Sequence, residues 1–380
     1  MENKLSFGIG CFHFGIKKTS PFKFKGSEYI KELRTALQSI SNIDKIDIRY
    51  LDEFKNWSFD LAPQELPNIG EGKGFFPKPW YMVIGFEMYI PFRIQAKLLG
   101  RKALSLETFT ERFKISLHYA YHFPVTFIEP VNPSQESDPS TAVKLVREFL
   151  EQEFKSSKSD YIQFEYLGPS PFHANCYIQP GETKDYNNVG WEFQAKIYSQ
   201  EGYNEVVFYF NPGIFTKAEK AKEIIKEKIQ HELGLFYKIV QLEVVKMHNW
   251  ERIEKLTEDL VSIQRITWVK SFLKKVFILP KHINEAFISI AEFESDEIFF
   301  NSTIQNDYRY FYSDKKVDTY FQSYIDNRIK EKLTYPAKQR FQLISFFEGR
   351  RIKSVENFVI FITAIISAVI GGVIVVLLTK

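Results

Sequence analysis

Residues 358–378 read FVIFITAIISAVIGGVIVVLL, a run with no charge and almost no polarity, followed by Thr379 and Lys380. A helix of roughly 21 residues at about 1.5 Å each is about 30 Å long, the thickness of a bilayer's hydrocarbon core. The run is too long and too apolar for an ordinary core helix, and no comparable stretch precedes it. The chain therefore reads as a large soluble body held to a membrane by a C-terminal transmembrane tail.

The flanks set the expected orientation. Arg350, Arg351 and Lys353 precede the run and only Lys380 follows it, so the positive-inside bias puts the body in the cytoplasm. The N-terminus supports this: it carries Lys4, Cys11, His13 and Lys17, with no apolar segment and small-residue cleavage site of a signal peptide. Two cysteines, Cys11 and Cys176, make no disulfide framework and fit a reducing compartment. A net charge of +3, without a basic stripe away from the membrane flank, argues against nucleic acid as a partner.

Working back from the tail, residues 216–279 contain no proline and one glycine, Gly234. Apolar side chains recur in steps of three and four: Ile225, Ile229, Leu233, Phe236, Val240, Val244, Met247, Trp250, Ile253, Leu256, Leu260 and Ile263. This is a bundle or coiled-coil pattern. A single helix there would be about 95 Å long; a hairpin folding back on itself is the alternative. Pro280 interrupts the pattern, and helices are expected again at 283–305 and 317–333.

The first region alternates strand and helix signals. Strands are expected at 5–16, 45–50 (Ile46, Ile48, Tyr50), 80–94 and 124–128, with helices at 27–39, capped by Ser27, and at 106–121. The order β-α-β-β-α-β is that of a split βαβ, ferredoxin-like head. The proline-rich stretch 130–140 reads as a linker. A helix at 141–154 and strands at 161–166, 174–178, 191–198 and 204–210, the last two joined by a turn at Gly202, form a second α/β unit. That unit either joins the first sheet or builds its own. The expected fold is α+β: an α/β domain at 1–129, the second unit at 141–213, a helical stalk at 214–353 and the membrane tail at 354–380.

This plan resembles the soluble part of CorA-type metal-ion channels, with an α/β domain, a long stalk helix and a basic turn entering the membrane. The Gly-Met-Asn signature of that family is absent, since Leu377-Leu378-Thr379-Lys380 follows the span, and there is no second span. Selective magnesium transport is not implied. In outline the plan also looks like that of bacterial membrane effectors of abortive antiviral systems.

Candidate site residues fall in three groups. Gly70, Gly72, Lys73 and Gly74 could wrap a phosphate, yet Phe75-Phe76-Pro77 follows where a P-loop needs Ser or Thr and a helix. Cys11 with His13, and His173 with Cys176, supply zinc-type ligands without zinc-knuckle spacing; His118 and His122 lack the glutamate of a zincin, and His231-Glu232 reads as surface or packing. No metal site or catalytic constellation is therefore expected, and the sequence names no cofactor. In the tail, Thr363, Ser367 and Gly371 lie four apart, as do Ala364, Ala368 and Gly372. Such small-residue ridges let helices approach closely in lipid, so self-association is expected. The leading functional expectation is a non-enzymatic sensor or effector: the head binds a ligand or protein partner, and the clustered spans respond. A passive tether and a tail-anchored enzyme are the alternatives.

Overall fold

The computed structural model describes residues 5–17, 23–56, 58–60, 68–69, 72–73, 82–100, 110–120, 123–132, 138–156, 161–167, 172, 174–181, 192–200, 203–265, 278–313, 318–331 and 334–378; over 371–378 only the backbone is described. In chain order the strands are β1 (Leu5–Gly10), β2 (Phe12–Ile16), β3 (Lys23–Lys25), β4 (Ile43–Tyr50), β5 (Ser58–Asp60), β6 (Asn68–Ile69), β7 (Gly72–Lys73), β8 (Met82–Tyr89), β9 (Arg112–Ala120), β10 (Phe123–Pro130), β11 (Ile162–Tyr166), β12 (Ala174–Pro180), β13 (Phe193–Gln200) and β14 (Tyr203–Phe210). The helices are α1 (Gly26–Gln38), α2 (Phe92–Leu99), α3 (Pro139–Ser156), α4 (Ala218–Arg265), α5 (Leu279–Tyr312), α6 (Gln322–Lys330) and α7 (Ala337–Leu378). The fold is mixed α/β, and the chain divides into two compact units: Met1–Val245 with Asn306–Glu331, and Lys246–Gln305 with Lys332–Lys380.

The first unit is built on an eight-stranded sheet of order β13-β14-β12-β1-β10-β9-β8-β4. Only β12 and β14 run parallel; the other neighbours are antiparallel. Strands of both expected α/β segments thus share one sheet, joined where β1 pairs β12 in the register Phe7↔Cys176. The expected hairpin is present, with Gln200 opposite Tyr203.

The helix expected over 106–121 gives way to strand β9 at Arg112–Ala120, paired on both sides by β8 and β10. Phe113, Ile115, Leu117 and Tyr119 are buried in the main core, and Lys114, Ser116 and His118 alternate with them on the other face. That period of two is the strand signature. A short helix, α2, stands earlier in this region, starting after Pro91 and capped by Gly100. Gly100 adopts φ +63°, a left-handed cap that favours glycine.

Helix α1 forms because Tyr29, Ile30, Leu33 and Leu37 fall on one buried face. Its first turn is closed by Glu28, whose carboxylate accepts from the Lys25 amide at 2.9 Å; the expected cap, Ser27, sits inside the turn instead. Together α1 and α3 bury Leu33, Val146 and Phe149 in one cluster with β4, β8 and β9. Helix α3 approaches β1 so closely at Gly8 that a Cβ there would lie 2.4 Å from the Pro139 carbonyl. The opposite sheet face meets α4 through Lys114–Glu223 and Lys226–Glu129 contacts. With both faces covered, β10 is buried from Phe123 to Glu129.

In the second unit α4 and α5 are antiparallel. Lys246 pairs with Glu297, Asn249 with Asp296, and the Trp250 ring lies 5.5 Å from Phe293. The stripe from Ile225 to Ile263 therefore lies on one continuous helix, α4, and not on a hairpin of its own; the partner that folds back on it is α5, beyond the stripe. Pro280 sits in the first turn of α5, where its missing N–H costs nothing. Of the stripe residues, Trp250, Ile253, Leu260 and Ile263 are core, whereas Met247 is 42% exposed.

Candidate functional site

Helix α7 has two chemically distinct parts. Ile344 and Phe347 belong to the core of the helical unit, with Trp250, Ile283 and Phe293. From Phe358 to Ile370 no side chain is buried, although Val359, Ile360, Phe361 and Ile366 are apolar. This is the one helix among the described residues long and apolar enough to cross a membrane, with a mean hydropathy of 1.7 over its best window. A helix apolar all round and unpacked suits an apolar surround rather than water. The Thr363 hydroxyl, inside this stretch, donates to the Val359 carbonyl at 2.8 Å, so it adds no unmet polar group.

Thr363, Ala364, Ser367 and Ala368 are exposed on that helix and available to a neighbour. Gly371 and Gly372 continue the same helix, but their surroundings lie outside the described side chains. The basic flank is partly engaged. Arg351 makes two bonds to Glu348, at 2.5 and 2.8 Å, and these hydrogen bonds hold the Glu348 carboxyl below its usual range. Arg350 lies over the Phe346 ring at 5.4 Å, and Lys353 is exposed.

The glycine-rich candidates are only partly placed. Gly72 and Lys73 form β7, which pairs β6 as Asn68↔Lys73 and Ile69↔Gly72. Gly70 and Gly74 lie outside the described residues, as do His122 and His173. Cys11 and Cys176 are buried, and burial pushes both thiols up. His13 packs beside Tyr119, its Nδ1 3.0 Å from the phenol oxygen. Among the described residues no group of three or more metal-ligating side chains comes together.

Two buried polar arrangements were not anticipated. Glu129, at the end of β10, pairs with Lys222 at 2.6 Å and with Lys226 at 2.5 Å. Burial raises the Glu129 carboxyl, but the two ammonium groups outweigh it and the net direction is down. Lys226 is 1% exposed and also meets Glu223 at 2.9 Å. The available signal was a lysine set directly beside Ile225 in an apolar stripe. The second arrangement is Glu232, fully buried on α4. Its carboxylate accepts from the Tyr312 hydroxyl at 2.9 Å and from the backbone amides of Tyr320 at 2.7 Å and Phe321 at 3.1 Å. It satisfies amides just before α6, so of the two expected roles, surface or packing, it takes the buried one, as a structural clamp.

The buried histidines make stability sensitive to acid. Burial lowers His13 to about 3; burial first, and then the nearby Lys226, lower His118 to about 4. Above the unfolded value near 6.5 both states are neutral and pH has no effect through these groups. Below it the unfolded chain takes up protons that the folded chain refuses, so stability falls as pH drops towards 4. Each histidine contributes up to about 1.4 kcal/mol per pH unit in that window. Denaturation midpoints should decline from pH 7 to 5, and His118→Gln should make the decline shallower. A midpoint unchanged over that range would contradict the assignment of buried neutral histidines.

No family model, curated protein or solved structure matches the chain.

Proposed function

We propose that the chain is a single-pass membrane protein whose body faces the cytoplasm, binds a ligand or protein partner, and acts through self-associated membrane helices. The observation that carries this reading is α7, in which one continuous helix has Ile344 and Phe347 in a protein core and an unpacked apolar stretch beyond Phe358. A shift in the helical core would reach the apolar stretch without any hinge. The α4–α5 hairpin serves in this reading as a coiled-coil-like stalk, and the sheet-based unit as a ferredoxin-like head. Bacterial membrane effectors of abortive antiviral systems have this outline, and the likeness is one of plan alone.

Self-association is the testable core of the proposal. Ser367→Leu with Gly371→Leu keeps the span apolar, so it still inserts, but fills the groove that close packing needs. The full chain in detergent should shift to smaller species in a crosslinking ladder. An unchanged assembly size would assign the oligomer, if there is one, to the body and reduce the span to an anchor. That result would favour the passive tether.

A further inference from the structure

The large sheet ends in two edges of opposite character, β4 and β13. An open edge offers unpaired N–H and C=O groups to another strand, and edges that must stay single are blunted by charges or bulges. Strand β4 is blunted in this way. Asp44, Lys45, Asp47 and Arg49 are exposed along it, its ladder with β8 is bulged between Asp44 and Asp47, and Lys45 sits at φ +50°. Strand β13 has no bulge: its ladder with β14 runs unbroken from Phe193↔Phe210 to Gln200↔Tyr203, and Lys196 is its only charged residue. That ammonium lies over the Tyr209 ring of β14 at 5.1 Å, drawn back across the sheet rather than out over the edge. Ile197 and Tyr198 are 37% and 46% exposed.

The ladder fixes which backbone groups face outwards. The Asn211 amide donates to the Glu192 carbonyl at 3.0 Å, so Glu192 and every second residue after it turn N–H and C=O towards β14. Ala195, Ile197 and Ser199 therefore turn theirs to the open edge, where no described residue meets them.

We propose that β13 pairs antiparallel with β13 of a second copy of this chain, about a two-fold axis at Ile197, so that one sheet runs through both molecules. An isologous contact must be complementary to itself. The longest paired run needs an axis at the middle of the strand, which means Lys196 or Ile197. An axis at Lys196 would set two ammonium groups directly opposite, which is destabilising. An axis at Ile197 sets an apolar side chain against its copy, and its outward N–H and C=O meet those of the copy as a hydrogen-bonded pair requires. Lys196 then falls opposite Tyr198, an aromatic face for each ammonium, and Ala195 opposite Ser199. A second copy is favoured over a foreign peptide because it brings a strand that matches in this register with no like charges opposed. The contact lies in the sheet-based unit and does not rest on the reading of α7.

The test uses the full-length chain in detergent, carrying Ser367→Leu with Gly371→Leu so that contacts between spans do not contribute, and reads mass by light scattering over micromolar concentrations. A dimer is expected. Ile197→Pro removes an outward N–H and leaves the β14 ladder whole, since proline is tolerated where an edge N–H faces outwards. It should raise the dimer dissociation constant at least tenfold with circular dichroism unchanged. Tyr198→Lys opposes Lys196 of the second copy with a like charge and should also weaken the dimer; adding Lys196→Glu to it should restore the affinity, because opposite charges then meet. Should Ile197→Pro alter the circular dichroism, the charge pair alone decides. A monomer throughout, a dimer that keeps its affinity with either single change, or a Tyr198→Lys chain that Lys196→Glu does not rescue would overturn the proposal.

Discussion

A chain ending at Lys353 is expected to move from the membrane pellet to the supernatant while keeping its folded body. The cut removes some fifteen Phe, Val, Ile and Leu side chains, worth roughly 0.3–0.6 kcal/mol each on insertion, or on the order of 5–9 kcal/mol in all. At about 1.4 kcal/mol per factor of ten, that is a change of three orders of magnitude or more in partition. Ile344 and Phe347 precede the cut, so the core they share with Trp250 and Phe293 survives. The measurement is carbonate extraction followed by sedimentation, with circular dichroism on the released fraction. A truncated chain that still pellets as fully as the parent would locate the attachment in the body. The basic flank would then be part of a surface contact rather than a topology signal.

What could be read in advance was mostly local. The apolar run, the helices α1 and α3 and the hairpin β13–β14 follow from periodicities within a dozen residues, and they stand close to where the sequence placed them. Strand β9 was legible and misread: the alternation Phe113-Lys114-Ile115-Ser116-Leu117 was present, but its neighbourhood also allowed helical spacing. Pro280 marks where the stripe stops, but that α5 then packs back along α4 shows only in pairing across distance, such as Asn249 with Asp296. Only topology shows that Glu129 and Lys226, 97 positions apart, form a buried pair.

That pair supports the other large expected effect. Glu129→Ala leaves Lys226 in the interior with one remaining carboxylate, Glu223, whose side chain is 49% exposed. Removing one member of a buried ion pair typically costs about 3–5 kcal/mol, because the other charge loses its compensation. The Glu223 contact places this case near the lower end, at about 3 kcal/mol. Lys226 can also move its ammonium towards water less easily than Lys222, which sits 12% exposed at the edge of the network. A double change, Glu129→Leu with Lys226→Met, removes both charges and substitutes apolar volume next to Phe127, over whose ring the Lys226 ammonium lies at 6.0 Å. Such replacements of buried ion pairs are often neutral or stabilising. The double variant should therefore recover most of the loss seen in Glu129→Ala, as read from denaturant midpoints of the detergent-held chain. If the single change costs under about 1 kcal/mol, the ammonium of Lys226 is reaching solvent. If the double change is worse than the single, the pair sets the register of α4 on the sheet rather than merely neutralising itself.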